Sequence, residues 1–120
     1  MFGLLERDLK YILEAIRKYP EIEQAIIFGS RAMGNYKPGS DVDIAIKGKD
    51  VNRTTVIRLS DDLNEEYPLP YFFDVVSYDE ITNEKLREHI DTVGKEIYSM
   101  CIQMKSKTSR RFETISNDAK

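Results

Sequence analysis

The chain is poor in the residues that build thiol or imidazole chemistry: its 120 residues include one cysteine, Cys101, one histidine, His89, and no tryptophan. One cysteine excludes an intrachain disulfide and a cysteine-based zinc site, and one histidine excludes a multi-histidine metal site. Any metal must therefore sit on carboxylate oxygens. Long apolar runs are missing as well. No window approaches the roughly 18 apolar residues that a membrane span needs. The opening MFGLLERDLK breaks its apolar positions with charge, so the uninterrupted core of a secretory signal is absent. A cytoplasmic protein is expected. Positive charge is not in excess either, with 18 Lys and Arg against 21 Asp and Glu and a net charge of -3. That balance argues against broad nucleic-acid binding, which relies on a basic surface to neutralise phosphates. A small nucleotide site needs only local charge and is compatible with it. With 41% apolar and 32% charged residues, the chain suits one folded domain around a single core.

What is present is an alternation of helical and strand-like segments. Leu5, Leu9, Ile12, Leu13 and Ile16 follow helical spacing and Tyr19-Pro20 closes it, predicting a helix over 3–18. EQAIIFGS is a short apolar run ending in glycine, which predicts a buried strand over 23–28 and a sharp turn at Gly29-Ser30. SRAMG reads as one or two helical turns stopped by Gly34, and NYKPGS as a loop. DVDIAIKG predicts a second strand over 41–47, and YFFDVVSY a third over 71–77. Between them Val56, Leu59, Leu63 and Tyr67 predict a helix over 53–66 that ends before Pro68. Thr82 is the expected N-cap of a fourth helix carrying Leu86, Ile90 and Val93, with Gly94 at or near its end. EIYSM fits a final strand or a continued helix equally well. The expected fold class is α/β (α+β), a mixed β-sheet backed by helices. Residues 1–104 form the domain, and the aperiodic stretch 105–120 is read as a flexible tail.

The chemistry concentrates in FGSRAMGNYKPGSDVDIAIKG, residues 28–48. Side chains alternate along a strand, so Asp41 and Asp43 share a face. Two like charges side by side cost free energy through repulsion and desolvation, and something positive should offset it. Magnesium fits, because it takes hard oxygen ligands and commonly bridges one or two carboxylates to substrate phosphates. The preceding turn supplies the other half: Gly29 lets the backbone approach an anion, Ser30 offers a hydroxyl and an N–H, and Arg31 can add a charge-assisted bond. Asp74 stands in FFDVV between bulky apolar residues, a setting a carboxylate avoids unless paired or metal-bound. If the third strand neighbours the second, Asp74 joins Asp41 and Asp43 around the same cations. Such a trio makes a two-metal site that can activate a hydroxyl and stabilise departing pyrophosphate, with Asp74 also placed to take the hydroxyl proton.

Gly29-Ser30, ten intervening residues and Asp41-Val42-Asp43, followed by the aspartate of FFDVV, resemble the signature of the polymerase beta-like nucleotidyltransferase superfamily and specifically its minimal nucleotidyltransferase (MNT) branch. The resemblance runs from about Ile22 to Tyr98. It implies magnesium, two ions, on Asp41, Asp43 and Asp74, and a triphosphate held by Gly29 and Ser30. It also implies a HEPN-domain partner, with the MNT protein as an antitoxin that transfers AMP from ATP to a tyrosine of an RNase toxin.

Other readings compete. A binding module would silence its partner by occlusion, and transfer to a small molecule such as an aminoglycoside would call for an added helical domain that 120 residues hardly accommodate. His89, near Glu88 and Asp91, reads as a solvated side chain on a helix, Cys101 as a small packing residue, DDLNEE as a solvated helix face, and KSKTSRR as a solvated basic tail. LPYFF at 69–73 is core or partner surface.

Overall fold

The computed structural model describes residues 3–37 and 39–100. Helix α1 spans Glu6–Arg17 and buries Asp8, Ile12, Ala15 and Ile16 along one stripe; of the residues whose spacing predicts it, Ile12 and Ile16 are buried, Leu9 and Leu13 half-buried, and Leu5, ahead of the helix, exposed. Strand β1, Gln24–Phe28, leads into the single helical turn α2, Ser30–Met33, which ends at Gly34 in the left-handed conformation. Strand β2 is Val42–Lys47, helix α3 Arg53–Asp61, strand β3 Phe73–Ser77, helix α4 Glu84–Val93 and strand β4 Lys95–Ser99. The open choice at EIYSM is thus resolved as a strand.

The four strands lie in the order β3-β2-β1-β4. β1 is antiparallel to both β2 and β4, whereas β2 and β3 run parallel. This is the expected mixed sheet. Alternation along the strands splits the core in two. Ile27, Val42, Ile44, Ile46, Phe73 and Val75 face α1 and α3, while Ile26, Phe28 and Ala45 face Ile90 of α4 and Tyr78. The larger cluster contains most of the fully buried side chains, and at roughly 25 cal/mol per Å2 it supplies the bulk of the hydrophobic stabilisation.

Two local details depart from the sequence expectation. The helix over 53–66 is not uniform: α3 gives way at Asp62–Glu66 to a π-helical turn. There Leu63 is buried in the larger core and Asp62 receives the Tyr19 hydroxyl and the Lys18 ammonium at 3.1 Å. The Asp62 carboxylate and burial together push the Tyr19 hydroxyl up to about 12, burial being the larger cause. The N-cap of α4 is Asn83, not Thr82, because it is the Asn83 side chain that accepts the Leu86 N–H at 3.2 Å. Cys101, Met104 and the stretch 105–120 lie outside the described residues.

β3 is an edge strand, and its outer edge is closed by a side chain. Asn64 accepts the Phe73 N–H at 2.8 Å and donates to the Phe73 carbonyl at 3.1 Å, as a neighbouring strand would. The amide therefore pins the start of β3, one residue ahead of Asp74. Replacing Asn64 with alanine leaves two buried backbone groups of Phe73 unpaired. The expected result is a loss of about 2 kcal/mol of stability, read by urea unfolding, together with faster exchange of the Phe73 amide.

Candidate functional site

β2 and β3 bring two of the three acids together by register alone. Asp43 lies across from Asp74 in the parallel pairing and across from Phe28 in the antiparallel one, so Phe28, Asp43 and Asp74 form one row across three strands. The next row, Ile26, Ala45 and Val76, belongs to the core beneath α4. The acids therefore occupy the uncovered end of the α4 face. Asp41 precedes the first residue of β2, is exposed, and stands two residues before Asp43. Asp74 is exposed within an otherwise apolar strand.

Charge repulsion at this row is visible in the acid strengths. Burial pushes the Asp43 carboxyl up, and the negative charges of Asp74 and Asp41 push it further. Asp43 is thus within electrostatic reach of both Asp74 and Asp41. They do not form a closed cage: among the described residues no group of three or more His, Cys, Asp or Glu side chains could hold a metal ion by itself. An open set suits magnesium, which keeps several waters and relies on one or two carboxylates plus substrate phosphates. The partly desolvated Asp43, with the negative charge of the exposed Asp74 opposite it, is the donor chemistry such an ion needs.

The Gly29-Ser30 turn lies against this row. Gly29 has φ +77° and ψ -156°, a region that side chains other than hydrogen reach only under strain. A Cβ here would also overlap the Asp43 carboxylate oxygen Oδ2. Glycine is thus required both to turn the chain and to leave room for the acid. Its N–H donates to His89 Nε2 at 3.0 Å, and the His89 ring stands edge-on to Phe28 at 6.2 Å. This corrects the reading of His89 as a solvated side chain. The link joins residues 60 apart in sequence and left no local signal.

Arg31 is also placed differently from the expected phosphate contact. It is only 3% exposed, and its Nε and Nη2 donate to the Ser40 carbonyl at 3.2 and 2.9 Å. The guanidinium lies between the rings of Tyr36 and Tyr71, 5.0 and 5.1 Å from their centroids. Tyr71 in turn donates its hydroxyl to the buried Asp8 at 2.8 Å. Arg31 thereby ties the loop that delivers Asp41 to the helical turn that follows Ser30. Ser30 itself is half-buried at the start of α2, whose single turn contributes little macrodipole, so an anion bound here would depend on the Ser30 hydroxyl and N–H. The substitution Gly29→Ala is expected to cost about 1–3 kcal/mol through backbone strain and to displace Asp43. Urea unfolding measures the first effect, and calorimetric titration with Mg-ATP the second, as a loss of uptake.

This geometry can be set beside known proteins. A search of curated proteins found no match. Similar solved structures include a chain from a toxin-antitoxin crystal with AMP-PNP, at TM-score 0.65 and 21% identity, covering 86% of this chain and 90% of that one. A chain from a complex of a tri-AMPylated Shewanella oneidensis HEPN toxin with MNT antitoxin matches at TM-score 0.61 and 19% identity, covering 88% and 81%. A chain from the toxin-antitoxin MntA-HepT matches at TM-score 0.62 and 18% identity, covering 89% and 92%. At these identities the likeness establishes the fold. The family model described as "Polymerase beta, Nucleotidyltransferase" matches residues 10–101, well over half of the sequence. The chain therefore belongs to the polymerase beta nucleotidyltransferase family.

Proposed function

We propose that this domain transfers AMP from Mg-ATP to a hydroxyl, a tyrosine, of a HEPN-domain partner and so acts as an antitoxin. The observation that carries the reading is the register pair Asp43 and Asp74 beside the Gly29-Ser30 turn. Structures of the same fold support the partner: one toxin-antitoxin crystal holds AMP-PNP and another a tri-AMPylated HEPN toxin.

Asp41, Asp43 and Asp74 would hold magnesium, which when bound neutralises phosphate charge and polarises the phosphorus centre. Ser30 binds the polyphosphate, and Gly29 keeps the backbone clear of Asp43. The acceptor oxygen attacks the α-phosphorus, forming the new P–O bond as the bond to the bridging oxygen of pyrophosphate breaks. Asp74, exposed at the edge strand, takes the hydroxyl proton. The acceptor reaches this end of the sheet without obstruction from α4. Phe72, 62% exposed and two residues before Asp74 on the same face, offers an apolar landing for a protein acceptor at the rim. No helix among the described residues is long and apolar enough to cross a membrane.

Incubation with α-labelled ATP, magnesium and a purified HEPN protein tests the reading. Label is expected on a tyrosine of that protein. It should fall by about 100-fold or more in Asp43→Ala or Asp74→Ala and vanish when a chelator removes the magnesium. No label with the wild type, or undiminished label with the variants, overturns it. Variants that still neutralise the partner with no label would instead establish silencing by occlusion.

A further inference from the structure

His89 lies outside every motif that pointed to the site, yet it makes the hydrogen bond that sets the turn. Its Nε2 accepts the Gly29 N–H at 3.0 Å, and its ring packs edge-on against Phe28, the residue before. Two contacts to consecutive residues fix the imidazole with respect to the end of β1. Its own helix is anchored independently. The Asn83 side chain caps the first turn of α4, and Ile90, next to His89, is buried in the core beneath the helix. An accepting Nε2 carries no proton, so the neutral ring holds its proton on Nδ1.

Glycine has the widest backbone freedom of any residue, and although the Gly29 carbonyl accepts the Met33 N–H at 3.1 Å as α2 begins, the N–H side of the turn is held by His89. An unanchored Gly29 peptide would rotate, carrying Ser30 with it. With its N–H committed to His89, the Gly29 amide is turned away from an incoming anion, and Ser30 becomes the residue the turn presents. We propose that His89 is a positioning residue of the nucleotide site: by accepting the Gly29 N–H it locks the Gly29-Ser30 turn and aims the Ser30 hydroxyl and amide at the triphosphate of the substrate. This rests on the nucleotidyltransferase reading above.

The test compares wild type, His89→Leu and His89→Gln, because the Gln Oε1 can reproduce the acceptor that Nε2 provides and leucine cannot. Mg-ATP uptake is measured by calorimetry, kcat and KM for ATP by steady-state transfer, and the Gly29 amide by 1H–15N spectra and hydrogen exchange. His89→Leu should weaken Mg-ATP binding and raise KM by about tenfold, with kcat changed far less, while its Gly29 amide shifts and exchanges faster. His89→Gln should restore both the Gly29 protection and most of the affinity. Thermal unfolding of the two variants separates misfolding from loss of positioning. Mg-ATP uptake by His89→Leu equal to that of the wild type, or a His89→Gln variant as weak as the leucine one despite a protected Gly29 amide, overturns the role of His89 alone. Failure of the wild type to take up Mg-ATP overturns the nucleotidyltransferase reading and the nucleotide role of His89 with it.

Discussion

The parallel register of β2 and β3 forces two carboxylates, Asp43 and Asp74, into adjacent positions on one face of the sheet, and the rest of the site is organised around that repulsion. Directly opposed like charges destabilise a strand pair. Here the pairing is held by what lies on the other face, where Val42, Ile44, Phe73 and Val75 alternate with the acids and pack into the larger core. Burial on one side thus fixes the register against electrostatic opposition on the other. A slip of one residue would put the acids into the core, so the hydrophobic pattern that folds the sheet also protects the geometry of the site.

The remaining elements fix the segments that carry this repelling pair. α4 buries Ile90 with Ile26, Phe28 and Ala45 and sets His89 against Phe28 in the row of acids, leaving Asp41 and Asp74 exposed. Its His89 reaches the Gly29 N–H at the boundary. On the opposite side Arg31, stacked between Tyr36 and Tyr71, holds the Ser40 carbonyl one residue before Asp41. Asn64 holds Phe73 one residue before Asp74. Each of the chain segments that delivers a functional group is therefore anchored within a residue of that group. Rigid placement of this kind is what lets weak individual contacts act together on a substrate.

Much of this was legible in the sequence, for reasons of period. Helices α1 and α3 and strands β1 to β3 show apolar spacing of 3.6 or 2 over enough residues to be read, and Asp74 stood out as a charge inside an apolar strand. Gly29-Ser30 and the aspartate pair were readable because their spacing is local. What sequence could not show depends on the path of the chain. Arg31 read as a phosphate contact because it follows the Gly-Ser turn, but burial and the rings of Tyr36 and Tyr71 claim its guanidinium. His89 read as solvated because Glu88 and Asp91 flank it, whereas its partner is 60 residues away. β4 was ambiguous because Ile97 and Met104 fit a helical period as well as a strand, so pairing with β1 decides it. The π-helical turn at Asp62–Glu66 left no period of its own.

The electrostatic state of the site also bears on when it is competent. Asp43 is harder to ionise than an ordinary aspartate, first because it is partly desolvated and then because Asp74 and Asp41 surround it with negative charge. His89 accepts the Gly29 N–H through an unprotonated Nε2 and so brings no positive charge to this row, and the acids stay under net repulsion. Under the proposed function, a divalent cation arriving with a triphosphate would relieve that repulsion at both ends, since the acids would gain a counter-charge and the phosphates an approach to an otherwise negative surface. Metal and nucleotide should for this reason favour each other's binding: neither alone removes both sources of unfavourable charge.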